Sequence, residues 1–326
     1  MSNSIKSLIA ITGASGFVGS NLTSFLQNLG IQCRQLSRRK HFDGYTIQTI
    51  NSLTDWSTVL SNVDVVIHCA SRVHVLHDHV ADPITAYRSV NVAGTRRLAF
   101  QAAELGVKRL VFLSSIKVNG ECTRFGEFFN SRSPAAPLDP YGISKFEAEQ
   151  ALHQVSVQTG LEVVIVRPPL VYGPGVRANF LRLLSLVQSQ VPLPLGSVHN
   201  QRSLLYVGNL VSFLTACALQ PAAAGRTFLI ADAEPLSTPE LVHQLALALK
   251  TKPRLLPVPP SLLSLLGRLS GKQAEFSRLT GSLVIDPSEA FQTLNWQPPF
   301  STAEGLRITA DWFLASQKAA VVRSNQ

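Results

Sequence analysis

The stretch Ile9-Ala10-Ile11-Thr12-Gly13-Ala14-Ser15-Gly16-Phe17-Val18-Gly19 runs an apolar segment into glycines spaced by three, and a helical pattern over residues 16–28 follows. Apolar residues ahead of a glycine cluster read as a buried strand that ends in a turn. Glycines at a strand-to-helix junction permit a tight turn, close approach of a ligand to the backbone, and close packing of helix on strand. The helix N-terminus presents unpaired N–H groups and a partial positive charge, which suits a pyrophosphate. The segment therefore reads as a dinucleotide cradle built on Gly13, Gly16 and Gly19. A glycine turn without a ligand is the plainer alternative.

The same alternation continues outward. Short apolar runs at 5–12, 32–36, 63–69, 109–114 and 162–167 are separated by helical patterns at 16–28, 55–60, 83–105 and 141–159. Strands that alternate with helices imply a parallel sheet covered on both faces, a doubly wound α/β fold of Rossmann type. After Pro168 the pattern changes to short helices separated by proline-rich joints. Residues 1–168 are thus expected to bind the dinucleotide, and 169–326 to form a smaller, mostly helical substrate-binding part whose segments return to the sheet.

Composition narrows the classes of function. The 326 residues are 45% hydrophobic and 15% charged, which excludes a disordered chain. The longest apolar stretches, about ten residues, fall short of the roughly 20 needed to cross a bilayer. No membrane partner is expected. The apolar run after Lys6 is too short for a signal core, and the expectation is a cytoplasmic protein. Cys33, Cys69, Cys122 and Cys217 are far apart with no CxxC pair, so neither a disulfide framework nor a zinc site is suggested. A net charge of +9 points to an anionic partner. The basic residues are scattered and form no run interleaved with aromatics, so a small phosphorylated ligand fits the balance as well as nucleic acid does; with the motifs below, the former is expected and no nucleic acid.

Two further segments carry chemistry. The second strand leads into Ser37-Arg38-Arg39-Lys40, with no acid where a ribose diol would be held. Arginine there accommodates a 2′-phosphate, so NADP is expected, with Arg38 and then Arg39 as its contacts and NAD as the alternative; a solvated basic turn is the plainer reading. Tyr141-Gly142-Ile143-Ser144-Lys145 opens a helix after Pro140 and places Tyr141 and Lys145 one turn apart on one face. An ammonium beside a phenol favours phenolate, which should pull the tyrosine pKa down toward the working range of an acid or base. Ser114 and Ser115 end the apolar strand 109–114, at the edge where such sheets bind ligands.

In order and spacing these residues resemble the extended short-chain dehydrogenase/reductases of the epimerase/dehydratase family. The glycine turn, Ser115, the Tyr141/Lys145 pair, Asn91-Val92-Ala93-Gly94-Thr95 and Arg167-Pro168-Pro169-Leu170-Val171-Tyr172-Gly173-Pro174-Gly175 carry the resemblance. It implies that Ser115 holds a sugar oxygen, that Tyr141 exchanges the proton, and that Lys145 binds the nicotinamide ribose. Asn91 would complete a catalytic tetrad. Ser15, Phe17, Val18, Ala70 and Pro168 would line the cofactor. Asn119, Asn179, Arg202, Tyr206 and Arg278 would meet a nucleotide-sugar substrate, and the enzyme would be a homodimer joined through four helices.

Departures refine these expectations. The acid common after the second strand is Ser37, the acid after the third is Ser52, and the tyrosine of the usual Val-Tyr-Gly is Asn119. Ile116-Lys117 follows Ser115 in place of the Asp-Glu pair of the 4,6-dehydratases, which points away from dehydration. His74, His77 and His79 gather near Asp78, but hydride chemistry requires no metal, and none is expected. The resulting expectation is NAD(P)H-dependent reduction of a 4-keto nucleotide sugar, of the UDP-4-keto-6-deoxy-N-acetylhexosamine type, for bacterial surface polysaccharide. The alternative is a UDP-hexose or UDP-N-acetylhexosamine 4-epimerase. A third reading is a non-catalytic NAD(P)-sensing protein of the same fold.

Overall fold

The computed structural model describes residues 7–39, 43–73, 82–269 and 273–324. Its first half runs β1 (Ile9–Thr12), α1 (Phe17–Asn28), β2 (Cys33–Ser37), β3 (Tyr45–Thr46), α2 (Ser57–Leu60), β4 (Val65–His68), α3 (Pro83–Tyr87), α4 (Thr95–Glu104), β5 (Arg109–Leu113), α5 (Pro140–Thr159) and β6 (Glu162–Arg167). The second half adds β7 (Leu170–Tyr172), α6 (Ala178–Gln188), β8 (Leu204–Tyr206), α7 (Val207–Leu219), β9 (Thr227–Leu229), α8 (Thr238–Ala248), α9 (Pro260–Leu269), α10 (Gln273–Thr280), α11 (Ser288–Thr293) and α12 (Thr302–Ser324).

Seven strands pair in the order β3-β2-β1-β4-β5-β6-β9, every pair parallel. This is a doubly wound Rossmann-type α/β sheet. Side chains alternate across it, as a pleat requires. Ile9, Ile11, Val65, Ile67, Val164 and Val166 pack with Leu22 and Leu26 of α1 and with Leu210 and Phe213 of α7. Ala10, Val66, Leu110, Phe112, Val163 and Ile165 pack with Leu98 and Ala102 of α4 and with Leu152 and Val155 of α5. Both faces are covered, which explains strands that are apolar throughout.

Strand order reverses between β1 and β4, so a crevice opens beyond their carboxyl ends, where such sheets bind ligands. Residues after 168 divide between two tasks. α7 and β9 complete the sheet and its cover, while β7 and β8 pair as a separate parallel ribbon.

Residues 83–105 form α3, a π-helical turn at Arg88–Gly94, and α4, in place of the single regular helix that periodicity predicts. Gly94 lies so close to the 50–51 segment that a Cβ would stand 2.6 Å from Ile50 Cγ2. Among the described residues no helix is long and apolar enough to cross a membrane.

Candidate active site

The glycine turn is closed by the Gly16 amide donating to Gly13 O at 2.8 Å. Gly13 takes φ +71°, and a Cβ there would lie 2.8 Å from Ala70 N. A Cβ on Gly19 would lie 2.2 Å from Gly13 O, so this residue lets α1 settle onto the turn. Gly16 caps α1 with no side-chain hydrogen bond, which leaves the first-turn amides for an anion. The cradle therefore fits a dinucleotide pyrophosphate. Phe17 and Val18 are half-buried at its rim, and Phe17 Cδ2 is 3.5 Å from where a Cβ of Gly175 would lie. The Asn21 amide donates to Pro174 O at 3.1 Å, which fastens the 173–175 segment over the start of α1. Pro168 is buried and accepts a hydrogen bond from the Ile116 amide.

At the end of β2 the Ser37 hydroxyl is buried, 2.5 Å from the Ser15 hydroxyl, and it also accepts from the Arg39 amide. Arg38 and Arg39 are exposed, and neither guanidinium bonds to another described residue. The histidine run at 74–79 lies outside the described residues.

Tyr141 and Lys145 lie on the first turns of α5, started by Asp139, whose carboxylate accepts from the Gly142 amide at 2.7 Å, and by Pro140. Lys145 is 2% exposed; its ammonium donates to Leu113 O at 2.8 Å and sits 4.4 Å from the Phe112 ring centroid and 5.9 Å from that of Tyr141. His68 stacks on Phe112 at 5.8 Å, and its ring nitrogens lie 2.6 Å from Thr12 Oγ1 and 3.0 Å from Thr95 Oγ1. Burial, reinforced by Lys145, pushes His68 down to about 3, so the imidazole is neutral. Burial also draws Lys145 down to about 7.

Tyr141 departs from the sequence expectation. Burial acts first, and the Asp139 carboxylate second, to push its phenol above the ordinary tyrosine range; the Ser71 hydroxyl offsets this only in part. Loss of hydration on burial disfavours the charged phenolate, and the Asp139 charge adds to that penalty. Ser115 is half-buried at the start of a 3-10 turn (Ile116–Val118), its hydroxyl accepting from the Lys117 amide at 3.3 Å.

Three expected contacts are placed differently. Asn91 is 2% exposed; its amide bonds Ser71, both backbone groups of Arg72, and the Ser144 hydroxyl. It therefore ties the strand-β4 loop to α5. Asn119 is 3% exposed, accepting from Arg167 at 3.1 Å and donating to Ser133 O and Pro134 O, so it braces a loop and does not line a sugar pocket. Tyr206 is 5% exposed, its ring against Tyr172 and Phe300, in the core of the second half. All three are drawn inward by polar or aromatic partners remote in sequence.

Arg202 and Arg278 do come together. Arg202 donates to Gly281 O at 3.0 Å, Arg278 reaches Glu121 at 3.9 Å, and burial and then the Arg278 charge lower the Arg202 pKa. Two cations side by side in partial burial favour a shared anion. Asn179 is exposed at the start of α6. Sequence reading missed Ser71, Lys117 and Asp139. Asp139 before Pro140 carried a helix-start signal, and Ser71 carried the signal of a strand's carboxyl end.

A profile of the NAD dependent epimerase/dehydratase family matches residues 9–231, more than half of the chain. The chain belongs to that family. It is an NAD-dependent enzyme of oxidoreductase type. This family member is 46% identical over 313 residues, 94% of its own length and 95% of the other's, to a UDP-glucose 4-epimerase of Vibrio cholerae. It is 28% identical, over 93% of its length and 94% of the other's, to N-acetyl-alpha-D-glucosaminyl-diphospho-ditrans,octacis-undecaprenol 4-epimerase of Escherichia coli O157:H7. It also shares its fold with the solved structure of MoeE5 in complex with UDP-glucose and NAD, at TM-score 0.76 and 24% identity, covering 95% of this chain and 99% of that one.

Proposed function

We propose that this enzyme interconverts UDP-hexoses by epimerisation at sugar C4 with NAD held in the glycine cradle. The observation that carries the choice is the 46% identity, across nearly the whole chain, to a protein named as a UDP-glucose 4-epimerase. The reductase expected from sequence gives way to its alternative on that ground.

The cradle of Gly13, Gly16 and Gly19, with Ser15, Phe17, Val18, Ala70, Lys145 and Pro168 around it, would hold NAD. When bound, NAD supplies the acceptor and donor of hydride at C4. Ser115 holds the C4 oxygen. Tyr141 takes the proton from that oxygen and returns it when the sugar presents its other face. Lys145, held by Leu113 O and the Phe112 face, keeps a cation beneath the phenol. Asn91 fixes the strand-β4 loop against α5 and so positions Ser71 against the phenol. Arg202 and Arg278 take the diphosphate, and Asn179 meets the nucleotide. In this reading residues 1–168 hold the cofactor and 169–326 supply most substrate contacts.

A second reading, reduction of a 4-keto sugar by NADPH, draws on Arg38 and Arg39, exposed at the end of β2 where Ser37 stands in place of an acid. Purified protein given UDP-glucose or UDP-N-acetylglucosamine should yield the 4-epimer with no net change in nicotinamide absorbance. Stoichiometric consumption of NADPH on a UDP-4-keto-6-deoxy-N-acetylhexosamine, without epimer formation, would establish the second reading instead. Tyr141→Phe should lower turnover by roughly 10²–10⁴-fold and leave NAD affinity unchanged.

A further inference from the structure

Lys117 stands two residues beyond Ser115, and its ammonium contacts the carboxylates of Asp139 and Glu121, the latter at 3.0 Å. Its main chain lies against α5 as well. A Cβ on Gly142 would be 2.9 Å from Lys117 O and 3.3 Å from Lys117 Cβ, so the glycine beside Tyr141 is what lets the serine turn approach. Asp139 in turn caps α5 two residues before Tyr141.

We propose that Lys117 is a positioning residue that sets the proton affinity of Tyr141 by neutralising Asp139 at the start of α5. The inference rests on the reading of Tyr141 as the proton-exchanging group. A carboxylate beside a phenol opposes phenolate, and a cation clamped on that carboxylate weakens its field, leaving Asp139 to act on the phenol with only part of its charge. Asp139 behaves as a paired group. Burial acts to raise its pKa, yet the Lys117 ammonium and the Gly142 amide, with a smaller contribution from the Arg278 charge, more than offset burial and hold the carboxyl below its ordinary range.

The other groups around Tyr141 do not substitute for Lys117. Lys145 lies beneath the ring and already donates to Leu113 O. From α3, Tyr87 meets Tyr141 edge-on at 6.2 Å, and Arg72 stacks over Tyr87 at 5.6 Å. Arg88 of the π turn is paired with Glu147 of α5. Cys69 and Ser71, after β4, are neutral, burial pushing the Cys69 thiol up to about 12. Glu149 is paired with Arg167. Among the described residues Lys117 is the cation bonded to Asp139. Glu121 also pairs with Arg278, so the clamp is continuous with the proposed diphosphate arginines.

The test is the pH profile of kcat/KM for epimerisation. Tyr141 must accept a proton first, so its ionisation sets the acid limb, which lies toward alkaline pH because the phenol is raised above the ordinary tyrosine range. Lys117→Met should move that limb up by about one pH unit, roughly a tenfold loss below it. Asp139→Asn keeps a capping side chain and should move the limb down by a similar amount. The double variant should return close to the wild type. Limbs that stay put in both single variants, that move in the same direction, or that fail to compensate in the double variant overturn the proposal. If Lys117→Met does not fold, the downward shift of Asp139→Asn carries the decision. The phenolate absorbance of wild type minus Tyr141→Phe reads the same ionisation without turnover. Retained turnover in Tyr141→Phe therefore sinks the proton role, while the absorbance shift still judges Lys117.

Discussion

At the carboxyl ends of β4, β5 and β6 the side chains are held from several directions. Asn91 bonds two segments, Lys145 is set on Phe112 and Leu113 O, and Ser114 and Arg167 both bind Glu149. Around the rim the opposite holds, where Arg38, Arg39 and Asn179 are exposed and Arg278 keeps only a long contact to Glu121. Groups proposed to share the chemistry are set before a ligand arrives, which limits the reorganisation that the reaction requires. Groups proposed to read ligand charge are left loose, so in this reading their ordering is deferred to binding.

The contrast predicts where substitutions act on stability and where they act on affinity. The largest stability loss should come from Arg167→Met. It strands Glu149 in the interior without its bidentate partner and frees Asn119, at about 3–5 kcal/mol, read by urea unfolding. A loss below 1 kcal/mol would mean that the interlocked region is less coupled than its bonds suggest. Next is the acid slope carried by His68. The unfolded chain binds a proton near pH 6.5 and the folded one only near 3, so the unfolded state holds more protons between these values. Stability is therefore lost as pH falls through that window, by at most about 1.4 kcal/mol per pH unit, and His68→Gln should flatten the slope in chemical denaturation. Smallest in stability is Arg278→Ala, within about 0.5 kcal/mol of wild type. Its effect should appear as a rise in KM for the UDP-sugar of about tenfold to a hundredfold, with kcat little changed. A stability loss as large as that of Arg167→Met would erase the distinction between the two regions.

Local signals made much of the fold legible. Glycines after 9–12, Pro140 before 141–159, and apolar runs of strand length each depend on residues close in the chain. β5 and β6 end within a residue of their expected bounds. The π turn at Arg88–Gly94 escaped because it answers to the approach of Gly94 to Ile50, a contact between remote segments. The site divides in the same way. Tyr141 and Lys145 announce themselves by their spacing. Asn119, Tyr206 and Asn91 were assigned by position in a motif, and partners far away in sequence turn each of them inward. Lys117 and Asp139 are 22 residues apart and meet only when the 3-10 turn packs on α5.

The edge strand β9 has a bearing on how the chain emerges during synthesis. β6 finds its outer neighbour only after residue 229 has appeared, and α7, which covers one face of the sheet, is made just before it. A nascent chain halted at 168 would bare both a strand edge and an apolar sheet face, the two features that invite aggregation. Completion of the sheet and of its cover therefore waits on residues that follow 168.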